Sequence, residues 1–149
     1  MKSFFTPREV SRLIGISYRQ IQYWDKTKFL GPSYRRRGKY RLYTFSDIIL
    51  LKIAVTLRSS NVSIQRLRRI MRGIKELLPQ VNSPLRDLTF LIKDTEVLIF
   101  SGPVIANNQA VLGSIWIRIA EFVKQIETMF VEEPWATEPV PSEGPKAVA

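Results

Sequence analysis

Four side chains that can donate hydrogen bonds or carry positive charge recur in the stretch YRQIQYWDK: Arg19, Gln22, Tyr23 and Lys26. Their spacing is i, i+3, i+4, i+7, which puts them on one face of a helix. A guanidinium and a primary amide can bond base edges, and a phenol and an ammonium can reach phosphate oxygens. A second group lies in RRRGKYRLY, residues 35–43. It gathers Arg35, Arg36, Arg37, Lys39 and Arg41 around Gly38 and interleaves them with Tyr40, Leu42 and Tyr43. Cations at that density can neutralise phosphates and release counterions. Some of the rings would fix the turn on the structure beneath, and others would offer a hydroxyl to a phosphate.

The charge of the whole chain agrees with such a partner. Residues 1–79 hold 18 Lys+Arg against 4 Asp+Glu, a balance of +14. Residues 80–149 hold 5 against 9, a balance of −4, and the two halves sum to the chain's +10. A basic half implies a polyanionic partner for that half. Cysteine and histidine are both absent. Disulfides, thiolate metal sites and the commonest general base are therefore excluded, and neither a metal nor a cofactor is expected. No nucleophile elbow and no glycine-rich phosphate loop occurs, so an enzyme is not expected. The N-terminus does not read as a secretory signal, and the most apolar later stretch is broken by Gly102, Pro103 and Arg118. A cytoplasmic, nucleoid-associated protein without a membrane span follows as the expectation.

The elements that must position these residues can be read in order. Thr6-Pro7-Arg8-Glu9 is a capping box with proline at the first helical position, and Gly15 ends that helix. Ser17 caps a second helix over 17–27, with Ile21 and Trp24 turned to the core. Residues 34–36 and 39–43 form two strands joined near Arg37-Gly38. Thr44 and Asp47 make another capping box before a helix that is apolar almost all round. Asn61 ends it and Ser63 caps the next, whose apolar stripe runs through Ile64, Leu67, Ile70, Met71, Ile74, Leu77 and Leu78. The arginines at 66, 68, 69 and 72 lie on its other face and read as solvated. Beyond Pro79 the pattern changes. Residues 88–100 read as a hairpin turning near Asp94-Thr95-Glu96, residues 110–117 as a third strand, and 118–130 as a helix with Ile119, Phe122, Val123, Ile126 and Phe130 on one side. Ile92, Leu98, Phe100, Ile115 and Trp116 are expected in a core or a dimer interface.

Helix, turn, helix, basic hairpin and two further helices make a winged helix-turn-helix, whose second helix enters the DNA major groove. The chain resembles the MerR family of transcriptional regulators over roughly residues 5–79. The resemblance rests on TPREV at 6–10, GISYRQIQYWD at 15–25 and KYRLYTFSDI at 39–48, in order and at family spacing. It implies DNA contacts from Arg19 and Tyr23 on the helix and from Tyr40 and Arg41 on the wing. Gln20 and Gln22 stand where the family usually has threonine and arginine, and Lys39 where it usually has glycine.

The resulting expectation is a mainly α protein with small β elements: a winged helix-turn-helix domain over 1–79, a linker over 80–87, a small strand-containing α+β domain over 88–131 with a dimerisation, effector or partner role, and a disordered acidic, proline-rich tail over 132–149. The DNA-binding residues expected are Ser17, Tyr18, Arg19, Gln20, Gln22, Tyr23, Arg36, Arg37, Lys39, Tyr40 and Arg41. The partner is double-stranded DNA, bound as a homodimer on an inverted repeat, with Ile74, Leu77, Leu78 and the strand-rich segment at the dimer interface. For 88–149 the partners left open are RNA polymerase, an effector or another protein. A DNA-bending architectural or recombination accessory protein of the same fold is the alternative function.

Overall fold

The structure is a computed structural model that describes residues 3–36, 40–102 and 114–131. Its elements in chain order are β1 (Phe4–Phe5), α1 (Pro7–Ile14), α2 (Tyr18–Lys26), β2 (Tyr34–Arg36), β3 (Tyr40–Thr44), α3 (Phe45–Ser59), α4 (Ile64–Leu77), two 3-10 turns (Leu78–Gln80 and Leu85–Asp87), β4 (Leu88–Lys93), β5 (Glu96–Ser101), β6 (Ser114–Arg118) and α5 (Ile119–Val131). They divide into two compact units, one of residues 1–52 with 125–149 and the other of residues 53–124.

In the first unit, local capping sets the helix starts. Thr6 Oγ1 accepts from the Glu9 amide at 3.2 Å and Glu9 Oε1 accepts from the Thr6 amide at 2.9 Å. This satisfies two of the donors that a helix start leaves open. Gly15 ends α1 at φ 85°, in the left-handed region that glycine enters freely. Ser11 Oγ donates to the Ile16 carbonyl and closes the turn into α2. The hairpin β2–β3 has the register Tyr34↔Leu42, Arg35↔Arg41 and Arg36↔Tyr40. β1, a two-residue strand that the sequence pattern does not announce, pairs Phe5 with Tyr43 and completes a sheet of order β1-β3-β2. Val10, Leu13, Ile21, Trp24, Leu42, Tyr43 and Ile48 fill the core beside Phe5, whose ring lies 5.4 Å from that of Phe130. Each such fully buried apolar side chain contributes about 1.5–3 kcal/mol.

In the second unit, α4 starts at Ser63, whose hydroxyl accepts from the Arg66 amide. Its stripe of Leu67, Ile70, Met71 and Ile74 is buried. The sheet order is β5-β4-β6, antiparallel throughout, with Phe90 opposite both Ile99 and Ile117. Alternation along β4 turns Leu88, Phe90 and Ile92 to the covered face. Asp94 takes φ 56° at the β4–β5 turn, a conformation aspartate tolerates, and its carbonyl accepts from Arg66 Nη2 at 2.9 Å.

One expectation needs correction here, and another is narrowed. Ile74 and Leu78 are 0% and 9% exposed within the single chain, so they are core and cannot be offered to a second copy as they stand, whereas Leu77 is 39% exposed. Leu98 and Phe100, expected in a core or a dimer interface, are 56% and 38% exposed, so within the chain they are not core and the interface half of that expectation stands untouched. Register puts both on the outer face of the sheet, where Phe100 stacks on Trp116 at 6.1 Å. Among the described residues, no helix is long and apolar enough to cross a membrane.

Candidate nucleic-acid interface

α2 is anchored from below and open above. Ser17 Oγ accepts from the Gln20 amide at 3.0 Å and so sets the first turn. Ile21 and Trp24 are buried, and Trp24 meets Phe29 edge to face at 5.4 Å. At the other end Thr27 Oγ1 donates to the Tyr23 carbonyl at 2.9 Å. With both ends tied and one side packed, the opposite side presents Arg19, Gln22, Tyr23 and Lys26 to solvent. Tyr23 is 58% exposed, an unusual state for a large ring without a partner to meet. An α-helix with its side chains is about 10–12 Å across, which matches a major groove about 12 Å wide.

The other predicted α2 residues sit around this face. Ser17 is exposed and already caps the helix. Tyr18 is half-buried, with the Arg8 guanidinium 5.0 Å above its ring. Gln20 is half-buried. On the hairpin, Arg36 and Tyr40 are cross-strand partners in β2 and β3, while Arg37 and Lys39 lie outside the described residues. Arg41 is described fully, and it is not a free cation: its Nε lies 3.6 Å from Asp25 Oδ2.

Asp25 is the residue that sequence reasoning passed over. Its carboxylate takes Arg35 in a forked pair, Nη2 to Oδ1 at 2.6 Å and Nη1 to Oδ2 at 3.3 Å. A planar guanidinium suits a carboxylate held in this way. The hydrogen bond raises the Arg35 pKa further, against an opposing effect of partial burial. Gly31 makes room for the arrangement. A Cβ at that position would stand 2.5 Å from Asp25 Oδ1 and 3.3 Å from its Cγ. Asp47 does similar work nearby. It accepts from the Ser33 amide at 2.8 Å, the Ser33 hydroxyl at 2.6 Å and the Thr44 amide at 2.9 Å, so the capping box also fixes the chain just before β2. Burial, reinforced by the charges of Asp25 and Asp47 and opposed by Arg41 and Arg35, pushes the Tyr43 phenol far above its ordinary value.

The consequence is electrostatic. Residues 1–79 contain four carboxylates, and three of them, Glu9, Asp25 and Asp47, are buried with internal partners. The signal in the sequence was their rarity in so basic a stretch.

The family of MerR HTH regulatory proteins matches residues 5–74. The HTH-type transcriptional regulator TnrA of Bacillus subtilis is 33% identical over 79 residues, which cover 51% of this chain and 71% of that protein. The chain belongs to the MerR HTH family. An uncharacterized HTH-type transcriptional regulator of Mycobacterium bovis, and one of Mycobacterium tuberculosis, are each 36% identical over 74 residues. The match covers 44% of this chain and 33% of each of those regulators, so the chain spans about a third of their length. The winged helix-turn-helix expected of a MerR chain, followed by a strand-containing region, is the fold observed.

Proposed function

We propose that this chain is a sequence-specific regulator of transcription that binds double-stranded DNA and is not an enzyme. In this reading residues 1–79 form the DNA-binding domain, with α2 in the major groove and the β2–β3 hairpin on the flanking backbone. Residues 80–87 are a linker, 88–131 a second domain for dimerisation or for a partner such as an effector or RNA polymerase, and 132–149 an acidic tail. The observation that carries the proposal is the α2 face. Arg19, Gln22, Tyr23 and Lys26 project together from a helix whose ends are tied and whose underside is packed. Membership of a family of HTH regulatory proteins supports it. The contacts assigned are Ser17, Tyr18, Arg19, Gln20, Gln22 and Tyr23 from the helix, with Arg36, Arg37, Lys39, Tyr40 and Arg41 from the hairpin. Two copies on an inverted repeat would set their recognition helices about one helical turn apart, ~34–36 Å, or a multiple of it. The site of action is the cytoplasmic nucleoid.

Selection from random duplex DNA at near-physiological salt tests this reading. Enrichment of an inverted repeat is the expected result. Salt-sensitive binding without enrichment would overturn sequence specificity and favour an architectural or recombination accessory role.

A further inference from the structure

We propose that Asp25 is a positioning residue that decides how much of the hairpin's charge is free for a polyanion, and that Gly31 is the space that lets it do so. The proposal rests on the DNA-binding reading for its specificity and on simple electrostatics for its charge. Asp25 belongs to the last turn of α2, two residues after the exposed Tyr23 and next to the buried Trp24. Its side chain is 7% exposed, whereas those of Arg35 and Arg41 are 47% and 37% exposed. The two arginines are directly opposed across β2 and β3, so they share one face of the hairpin. One carboxylate therefore holds both strands of the wing against the end of the recognition helix.

Two consequences follow. The direction of the wing relative to α2 is set by a short, forked, shielded pair rather than by apolar contact alone, which suits a surface that must fit a groove and its adjoining backbone together. The three groups also present a net charge of +1 where the two arginines alone would present +2. Asp25 thus withholds cations that would otherwise bind any phosphate, whatever the sequence. It lowers indiscriminate affinity and keeps the helix in register with the wing. Removing it should strengthen the wrong binding and weaken the right one.

The test uses the full chain and two probes, heparin and duplex DNA carrying either a selected or a random sequence, over a series of salt concentrations. Asp25→Asn keeps the shape and removes the charge. The expected result is tighter binding to heparin and to random duplex, with a steeper log–log salt slope on both, by about 0.9 on duplex for each arginine released. Preference for the selected over the random duplex should fall about tenfold, the scale of one disturbed base contact. Glu76→Gln, the same change of charge at the exposed carboxylate of the basic half, controls for net charge and should leave that preference intact. Gly31→Ala, which changes no charge, should lose the same preference because its Cβ displaces Asp25. The Asp25→Asn/Gly31→Ala double variant should lose no more than either single one. Arg35→Gln should cost about 0.9 of slope in the Asp25→Asn background and much less in the native one.

Parallel weakening of selected and random duplex in Asp25→Asn would overturn the proposal, since that is what a merely structural ion pair produces. So would an unchanged heparin slope. If Asp25→Asn does not fold by circular dichroism, Arg35→Gln alone decides, because a full 0.9 loss of slope in the native background would show that Arg35 was never withheld. If the native chain enriches no duplex sequence, the reading as a sequence-specific regulator fails. The heparin slopes still decide whether Asp25 restrains charge.

Discussion

The hairpins β2–β3 and β4–β5 are both antiparallel, and each is the outer pair of a three-stranded sheet, yet β2–β3 adds a charged grip to its apolar burial. In β4–β5 six cross-strand pairs run without interruption from Leu88↔Ser101 to Lys93↔Glu96, and burial of Leu88, Phe90 and Ile92 fixes the register. In β2–β3 only three pairs are described, and a single carboxylate on α2 grips Arg35 and Arg41 from outside the sheet. Apolar burial favours any arrangement that removes the same area from water. A forked ion pair favours one geometry. The contrast teaches that the second hairpin is built chiefly for stability. The first buries Tyr34, Leu42 and Tyr43 and in addition sets two of its cations, Arg35 and Arg41, against Asp25.

The comparison can be broken most sharply at Phe90. Phe90→Ala should destabilise the chain by about 3–5 kcal/mol in chemical denaturation, because the side chain is fully buried at the centre of β4. DNA affinity per folded molecule should hardly change. Asp47→Ala comes next. It strands the amides of Ser33 and Thr44 and should cost about 2–3 kcal/mol, with hydrogen exchange rising first at the entry to β2. Arg19→Ala should do the reverse of Phe90→Ala: unchanged unfolding, and a loss of about 1–3 kcal/mol in affinity for the selected duplex with a blurred base preference. Unchanged affinity there would place the recognition surface elsewhere.

The smallest effect is confined to alkali. Tyr43 has a folded-state pKa raised above the ordinary 10.0 by burial. The folded chain therefore keeps a proton that the unfolded chain releases, so stability is full below pH 10 and declines as the pH rises beyond it. Tyr43→Phe should flatten that alkaline decline in a series of thermal melts, and an equally steep decline would assign it to other groups.

Much of this was legible without coordinates because it is local. Thr6 with Glu9, Thr44 with Asp47, and Ser17 with the Gln20 amide are partners three residues apart, and each forms as its helix forms. The exposed face of α2 follows from the helical period, since the buried Ile21 and Trp24 leave Arg19, Gln22, Tyr23 and Lys26 on the other side. The apolar side of α5 followed likewise, and Ile119, Phe122, Val123, Ile126 and Phe130 are all buried.

β5 shows where periodicity fails. VLIF is apolar at every position, so alternation alone does not say which face is covered, and Leu98 and Phe100 proved to be on the exposed one. The sequence by itself determined the order of the elements, their caps, the charge of the first half and the outward face of α2. Only the tertiary structure decided that Phe4–Phe5 adds a strand beside β3, that Asp47 reaches Ser33 fourteen residues away, and that Asp25 takes Arg35 ten residues on while Gly31 gives it room. These contacts join residues that no helical or strand period relates. The fold brings them together: packing shields the Asp25 carboxylate, 7% exposed, and the half-exposed Arg35 reaches it from the hairpin.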